Sequence, residues 1–336
     1  MKGEKYLVIY HKDDNDGVMS AAIALKYILD EIGEDQDNVT LKGIHPNEFN
    51  EWCHTNEVKY LHEKFDWLIM TDCSCNDEKV MKMLHDNFTN RFIWVDHHAP
   101  IIKASYKFGF DDIQGVRQTD RSAILNMYKF LFDPLDEQYN SNKVPRLLEI
   151  LSAWDSWNFS KYDNDYAYGI DQALNVLARL NVWEMAEILD SIMKKTDSGV
   201  WEKDTHEDNR VIAKLTDMGE AIAKYNEMSW DNLMTSWGDT EWKVAERPAV
   251  AVFVQGNSTS KMFKSCSGYD AGIVFKKNSL GGGWSVSIYN IRNSDTFNCG
   301  DYAREKFGGG GHQGAAGFRL SDEQFAEISK TKSFPK

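Results

Sequence analysis

The residues Asp96-His97-His98 stand at the end of the apolar run Arg91-Phe92-Ile93-Trp94-Val95. A carboxylate followed by two imidazoles at the mouth of a buried strand is a good donor set for a divalent cation; the alternative is a solvated loop. Further acids and histidines stand in comparable places. His11, Asp14 and Asp16 follow Tyr6–Tyr10, Asp72 follows Trp67–Met70, and Asp155 follows the helical stretch Val144–Trp154. So many carboxylates and imidazoles would repel one another or desolvate badly unless cations neutralise them. Two divalent ions about 3.5–4 Å apart, bridged by a carboxylate, would hold a hydroxide for attack on phosphorus. Mixed histidine and aspartate donors suit Mn²⁺ better than Mg²⁺, and Zn²⁺ and Fe²⁺ are compatible with them.

The elements that must position these groups alternate. Tyr6–Tyr10 reads as a buried strand, His11–Gly17 as a polar loop, and Val18–Ile32 as a helix stopped by Gly33. The pattern recurs with a strand at Trp67–Met70, a helix capped by Asn76 or Asp77 and running to about Phe88, and a strand at Phe92–Val95. Strands alternating with helices imply a parallel sheet with right-handed crossovers, whose ligands collect beyond the carboxyl ends of the strands. Acids distant in sequence can therefore meet at one place. Helices are expected over Arg121–Phe132 and Val144–Trp154, and a long connector helix over Gly199–Glu227.

After Arg247-Pro248 the character changes. Ala249–Val254, Ala271–Phe275 and Trp284–Tyr289 read as strands, with Gly281-Gly282-Gly283 as a hairpin turn. A helix over Cys299–Phe307 leads into Gly308-Gly309-Gly310-Gly311-His312, and Ala315–Leu320 reads as a last strand. The glycine run is either a flexible turn or a loop whose open N–H groups wrap a phosphate, with His312 donating to an oxygen. It is not a Walker loop, because no Gly-Lys-Ser/Thr follows. Arg292 is a candidate for a bidentate grip on phosphate.

At 336 residues the chain has room for two domains, and a 42% hydrophobic composition with 17 Phe, 14 Tyr and 11 Trp supports packed cores rather than disorder. The formal net charge of -14 argues against a broad basic face for duplex DNA and leaves room for a short substrate held by metals and local cations. Five cysteines without a Cys-x-x-Cys pair read as free thiols in a reducing compartment. No apolar run reaches the length of a signal core or membrane span, so a soluble, cytoplasmic protein is expected.

In order along the chain, His11-x4-Asp16-Gly17, Asp72-Cys73-Ser74, Asp96-His97-His98 and Asp155 resemble the four motifs of the DHH phosphoesterase superfamily. Gly309-Gly310-Gly311-His312 followed by Ala315-Ala316-Gly317-Phe318 is similar to the signature of its DHHA1 domain. The resemblance implies an α/β architecture. A parallel-sheet catalytic domain at 1–185 would be joined by a helical connector at 186–240 to a smaller α/β substrate-binding domain at 241–336. It implies two divalent ions, usually Mn²⁺, held by His11, Asp16, Asp72, Asp96, His97 and Asp155, with Asp72 the bridging acid. Asp14 is either a further metal-site acid or a cap of the following helix. His97 and His98, with Asp72, would be catalytic, His97 nearer the metals. Gly309, Gly310, Gly311, His312 and Arg292 would meet the substrate.

The activity implied is hydrolysis of short oligonucleotides or of linear or cyclic dinucleotides, as in nano-RNA and oligoribonucleases and RecJ-like exonucleases. Cleavage of a small nucleotide monoester such as pAp and single-strand exonuclease action are the enzymatic alternatives. A nucleotide- or single-strand-binding module is the non-enzymatic one. The partners expected are thus a short nucleic acid or nucleotide, with no membrane and with room for a homodimer. Superfamily pyrophosphatases carry a different C-terminal domain, so the glycine motif argues against that activity.

Overall fold

The computed structural model describes residues 3–75, 77–98, 102, 113–133, 143–179, 181–197, 200–255, 258–278, 282–292 and 296–335. Asn76, Gly199 and Gly281, assigned above to a helix cap, the connector and a hairpin turn, lie outside them. The chain divides into two units, 1–222 and 223–336.

The first unit is built on four parallel strands, β1 (Tyr6–His11), β2 (Val39–Ile44), β3 (Trp67–Thr71) and β4 (Phe92–Val95), in the order β2-β1-β3-β4. A parallel sheet covered on both faces needs apolar side chains on both sides of each strand. This is why β1 and β4 read as unbroken apolar runs. Tyr6, Val8, Ile69, Ile93 and Val95 enter one core, while Leu7, Ile9, Leu68, Met70, Phe92 and Trp94 enter the other.

Among the described residues, the helices of this unit are α1 (Asn15–Tyr27), α2 (Pro46–Cys53), α3 (Asn56–Lys59), α4 (Glu78–Phe88), α5 (Ala123–Phe132), α6 (Arg146–Asp155), α7 (Asn164–Ala178), α8 (Val182–Ile192) and the first part of α9 (Thr205–Trp237). Residues of α1 and α5 to α9 fill the first core, and those of α2 to α4 the second. Burying each large aliphatic side chain there contributes about 1.5–3 kcal/mol. Helix α1 is buried on nearly every side, and its small residues Ala21, Ala22 and Ala24 let neighbouring helices approach. It passes into a π-helical turn at Ile28–Ile32, ended by Gly33 at φ 77°. Helices α7 and α9 cross where Gly169 faces Gly219; a Cβ on Gly219 would lie 2.3 Å from the Gly169 carbonyl oxygen.

Strand order reverses at β1, with β2 on one side and β3 and β4 on the other. Crossovers leave in opposite directions there and open a crevice at the carboxyl ends. The loops after β1, β3 and β4, which carry the acids, leave adjacent strands at this crevice. A hairpin of β5 (Met193–Lys195) and β6 (Trp201–Lys203) precedes α9, which runs from the first unit into the second.

The second unit holds β7 (Asp239–Val244), β8 (Arg247–Phe253), β9 (Ala271–Lys277), β10 (Trp284–Asn290), β11 (Gly310–Gly311) and β12 (Ala315–Leu320), in the order β11-β12-β10-β9-β8-β7. Only β8 and β9 run parallel; the other pairs are antiparallel. Helices α10 (Cys299–Phe307) and α11 (Asp322–Thr331) complete it. Its core joins Trp242, Phe275, Phe318 and Phe334. No described helix is long and apolar enough to cross a membrane.

Strands β2 and β5 to β7 and helix α11 have no counterpart in the sequence reading. Each is short or half-exposed, so its apolar period is weak: β2 buries only Ile44 fully. The glycine run is not an irregular loop, for Gly310 and Gly311 pair with Gly317 and Ala316 as an edge strand.

Candidate metal centre

Each acid-bearing loop is held by local chemistry. After β1, Asp14 caps α1, its Oδ1 accepting from the Gly17 N–H at 3.0 Å, while its Oδ2 lies 3.0 Å from His11 Nδ1. The two roles left open for Asp14 are thus compatible, since one oxygen caps and the other faces the cluster. A Cβ on Gly17 would lie 2.0 Å from the His11 carbonyl oxygen, so only glycine lets α1 start this close to β1. The Asp16 oxygens accept from Ala123 N and Ile124 N at 2.9 Å each, anchoring Asp16 to the amino end of α5.

After β3, Asp72 adopts a left-handed backbone at φ 53° with its N–H bonded to the Val95 carbonyl at 3.0 Å. Such a conformation costs a non-glycine residue on the order of 1 kcal/mol and is met at functional sites. After β4, Asp96 is fully buried. Its Oδ1 accepts from His97 N at 2.7 Å, His98 N at 3.1 Å and His98 Nδ1 at 2.7 Å. Its Oδ2 accepts from the Ser74 hydroxyl at 2.5 Å. Asp155 is the last residue of α6.

These residues converge. Asp72 Oδ2 lies 3.2 Å from His11 Nδ1, and Asp72 Oδ1 lies 3.3 Å from His97 Nε2. His97 Nε2 also lies 3.3 Å from Asp155 Oδ2 and 3.5 Å from Asp16 Oδ2. His98 Nδ1 lies 3.8 Å from Asp72 Oδ1. Three groups result, each with donor atoms within 4.8 Å of one another: His11, Asp14 and Asp72; Asp72, His97 and His98; Asp16, His97 and Asp155. Asp72 and His97 each belong to two of them. Asp96 belongs to none of these groups among the described residues; it holds the histidine pair from behind.

Buried carboxylates and imidazoles shift one another strongly here. Burial and the charge of Asp72 push Asp16 up to about 7. Burial and the charge of Asp16 hold Asp155 well above the usual carboxylate range. Burial opposes ionisation of Asp72 as well, but the neighbouring imidazoles of His11 and His97 outweigh it and hold Asp72 below that range. Burial disfavours the charged imidazoles of His11 and His97, yet the surrounding carboxylates reverse this and raise both. His98 is raised against its burial, chiefly by Asp96. Asp72 Oδ1 and Asp155 Oδ2, both buried atoms, accept no hydrogen bond. Orphaned carboxylate oxygens beside imidazole nitrogens fit divalent ions, which would satisfy them and discharge the cluster.

Three contributions have no assigned role in the sequence reading. His45, just beyond β2, pairs with Asp13, which lies 3.5 Å from His11 Nε2 at the rim. The strand-end rule would have found His45 had β2 been recognised. Ser74 supports Asp96, and Asn126 Nδ2 binds the Asp96 carbonyl at 3.1 Å.

In the second unit, Gly309 and Gly311 serve close packing, since a Cβ would lie 2.3 Å from the Gly317 carbonyl oxygen or 2.5 Å from that of Ala315. Space beside Gly310 is open. The carbonyls of His312 and Gln313 accept from Gly300 N and Cys299 N at 2.9 and 3.0 Å, tying the turn to the start of α10. Arg292 pairs with Asp270 at 3.0 Å.

No family model and no curated protein sequence matches the chain. Among solved structures it is similar to the DHH domain of a protein described as a member of a family of ribosomal proteins. The identity is 11%, the TM-score 0.56, and the match covers 98% of this chain and 85% of that one. It is also similar to a pGpG-specific phosphodiesterase of Vibrio cholerae (14%, TM-score 0.45, 97% of both chains). A third is the manganese complex of RecJ from Thermus thermophilus (15%, TM-score 0.49, 98% of this chain and 51% of that one). The chain shares the fold of the DHH-domain protein, as the resemblance implies.

Proposed function

We propose that this chain is a DHH-type phosphoesterase that uses two divalent ions, Mn²⁺ by donor chemistry, to hydrolyse phosphodiester bonds of short oligonucleotides or dinucleotides. The observation that carries the reading is Asp72, whose two oxygens face two different histidines within two different donor groups. His11, Asp14 and Asp72 would hold one ion, and Asp16, His97 and Asp155, with Asp72, the other. Such ions supply a polarised water and charge stabilisation for the phosphoryl group.

The chain's own residues do the positioning. Asp16 ties the cluster to α5 and Asp14 ties it to α1, so the donors are fixed before anything binds. Asp96 accepts the Nδ1 proton of His98, which fixes the tautomer and directs Nε2 to proton transfer. The His98 side chain is 37% exposed, whereas that of His97 is 3% exposed. His98 is therefore the one to meet the substrate and protonate a leaving oxygen, and His97 is a ligand. Gly310, His312 and Arg292 of the second unit would bind substrate, as the resemblance to the DHHA1 signature implies.

The test is one panel of substrates. Labelled RNA and DNA of two to ten nucleotides, pAp and cyclic dinucleotides are incubated with Mn²⁺, Mg²⁺ or EDTA. Mononucleotide release from the shortest oligomers with Mn²⁺, abolished by EDTA, is expected. Turnover of pAp alone would replace the diesterase reading with the monoesterase one. Affinity for long strands without turnover would replace it with a binding module.

A further inference from the structure

Between the acids Asp14 and Asp16 stands Asn15, which is 2% exposed. Its Nδ2 donates to the Asp171 carbonyl oxygen at 3.0 Å and to Asp171 Oδ1 at 2.6 Å. Both acceptors are oxygens of one residue, so the amide orientation is determined. Asp171 is itself 7% exposed, and its Oδ2 accepts from Gln172 Nε2 at 3.0 Å and Asn175 Nδ2 at 3.5 Å. It lies on α7, 156 residues away in sequence from Asn15. We propose that Asp171 is a positioning residue for the metal centre, gripping Asn15 so that the carboxylates on either side of it hold their places.

The described hydrogen bonds of the Asn15 side chain go to Asp171 alone, through Nδ2, and its buried Oδ1 accepts none. Asp14 is held by its own helix and by His11, and Asp16 by the amino end of α5. Those contacts fix the two carboxylates toward the cluster, but none holds the backbone between them against α7. The two hydrogen bonds from Asn15 Nδ2 to Asp171 supply that third anchor. Adjacent ligands on one turn of chain move together, so release of the middle residue tilts both. Burying a carboxylate this deeply, even with three amide donors to satisfy it, is a cost that an ordinary helix-surface acid would not bear. Groups that orient metal ligands typically change metal affinity about 10- to 100-fold when removed.

The inference rests on the metal reading, and the test separates the two. Mn²⁺ is titrated calorimetrically into metal-free wild type, Asp171→Ala, Asp171→Asn, Asn15→Ala and the double alanine variant, with thermal unfolding followed in EDTA. Wild type that takes up no Mn²⁺ defeats the metal reading itself. With wild type binding, Asp171→Ala and Asn15→Ala should each weaken Mn²⁺ about tenfold. The double variant should be no weaker than either single one, because both break one link. Asp171→Asn, which keeps an acceptor for Asn15, should stay near wild type. Wild-type Mn²⁺ affinity in a folded Asp171→Ala, or additive losses in the double variant, would overturn the proposal. Should Asp171→Ala fail to fold, Asn15→Ala against Asp171→Asn decides it by the same criterion.

Discussion

Asp72 divides its carboxylate between two histidines: Oδ2 lies 3.2 Å from His11 Nδ1 and Oδ1 lies 3.3 Å from His97 Nε2. His11 ends β1, Asp72 follows β3 and His97 lies beyond β4. One side chain thus joins three neighbouring strands at the point where strand order reverses. Its left-handed backbone turns it into that position, and aspartate tolerates this conformation better than most residues.

The close start of α1 against β1 yields a first prediction. Gly17→Ala places a methyl group 2.0 Å from the His11 carbonyl oxygen, where backbone cannot give way without moving the ligand. We expect a loss of stability of about 2 kcal/mol or more, by overpacking, together with loss of Mn²⁺-dependent activity. Urea denaturation and an activity assay on the same sample check both. A variant of wild-type stability and activity would show that the loop moves freely.

The strand-end acids were legible because apolar runs, polar loops and parallel-sheet topology lead to the same place. Asp155 was legible as the end of an amphipathic stretch. What escaped has physical reasons. Strand β2 alternates Val39, Thr40, Leu41 and Lys42 and stays largely half-exposed, so neither it nor the His45 beyond it stood out. Asp171 has no place in any motif, and only the fold buries it against Asn15. The glycine run read as a loop because glycine carries no side-chain period, whereas two of its members form an edge strand. Asp96 matched a ligand motif, but the hydrogen bonds that occupy both its oxygens belong to tertiary structure.

His98 and His97 should separate by function. His98→Ala should lower kcat on an oligonucleotide about 100-fold, the range of a lost general acid, while leaving Mn²⁺ affinity within a few-fold. His97→Ala should lose Mn²⁺ affinity as well, since its Nε2 faces three carboxylates. Calorimetry beside steady-state kinetics checks this, and equal loss of metal in both variants would reverse the assignment.

Asp171 makes stability depend on pH. Burial pushes it up to about 6, against hydrogen bonds from Asn15 and Gln172 and with the charge of Asp14 adding to the rise. Its unfolded value is near 3.8. The folded state thus holds the proton more tightly, and stability from this group is fully present below about 3.8 and lost as pH rises through about 6. Asp171→Asn should therefore gain on wild type by about 3 kcal/mol at about pH 8, an advantage that shrinks to below about 1 kcal/mol by about pH 4. Denaturant midpoints at the two pH values, in EDTA, measure it. A pH-independent difference would show that Asp171 does not titrate in this range.

Asp208 on α9 caps a helix it does not belong to. Its Oδ2 accepts from Arg146 N at 2.6 Å and its Oδ1 from Leu147 N at 3.2 Å, at the start of the helix that ends in Asp155. Asp208→Ala should cost about 1–2 kcal/mol, the range of a lost cap, and Asp208→Asn less. Chemical denaturation checks the order, and an unchanged midpoint for the alanine variant would contradict it.

The most direct test of the central claim is the Mn²⁺ stoichiometry of wild type and Asp72→Asn, measured by calorimetric titration of the metal-free proteins. An acid shared by two donor groups predicts two ions per chain in wild type. It predicts fewer in the variant, with affinity reduced by more than about 100-fold, beyond the range of a supporting residue. Two ions bound by Asp72→Asn with wild-type affinity would contradict the account, because the two histidines would then be facing an acid that holds nothing.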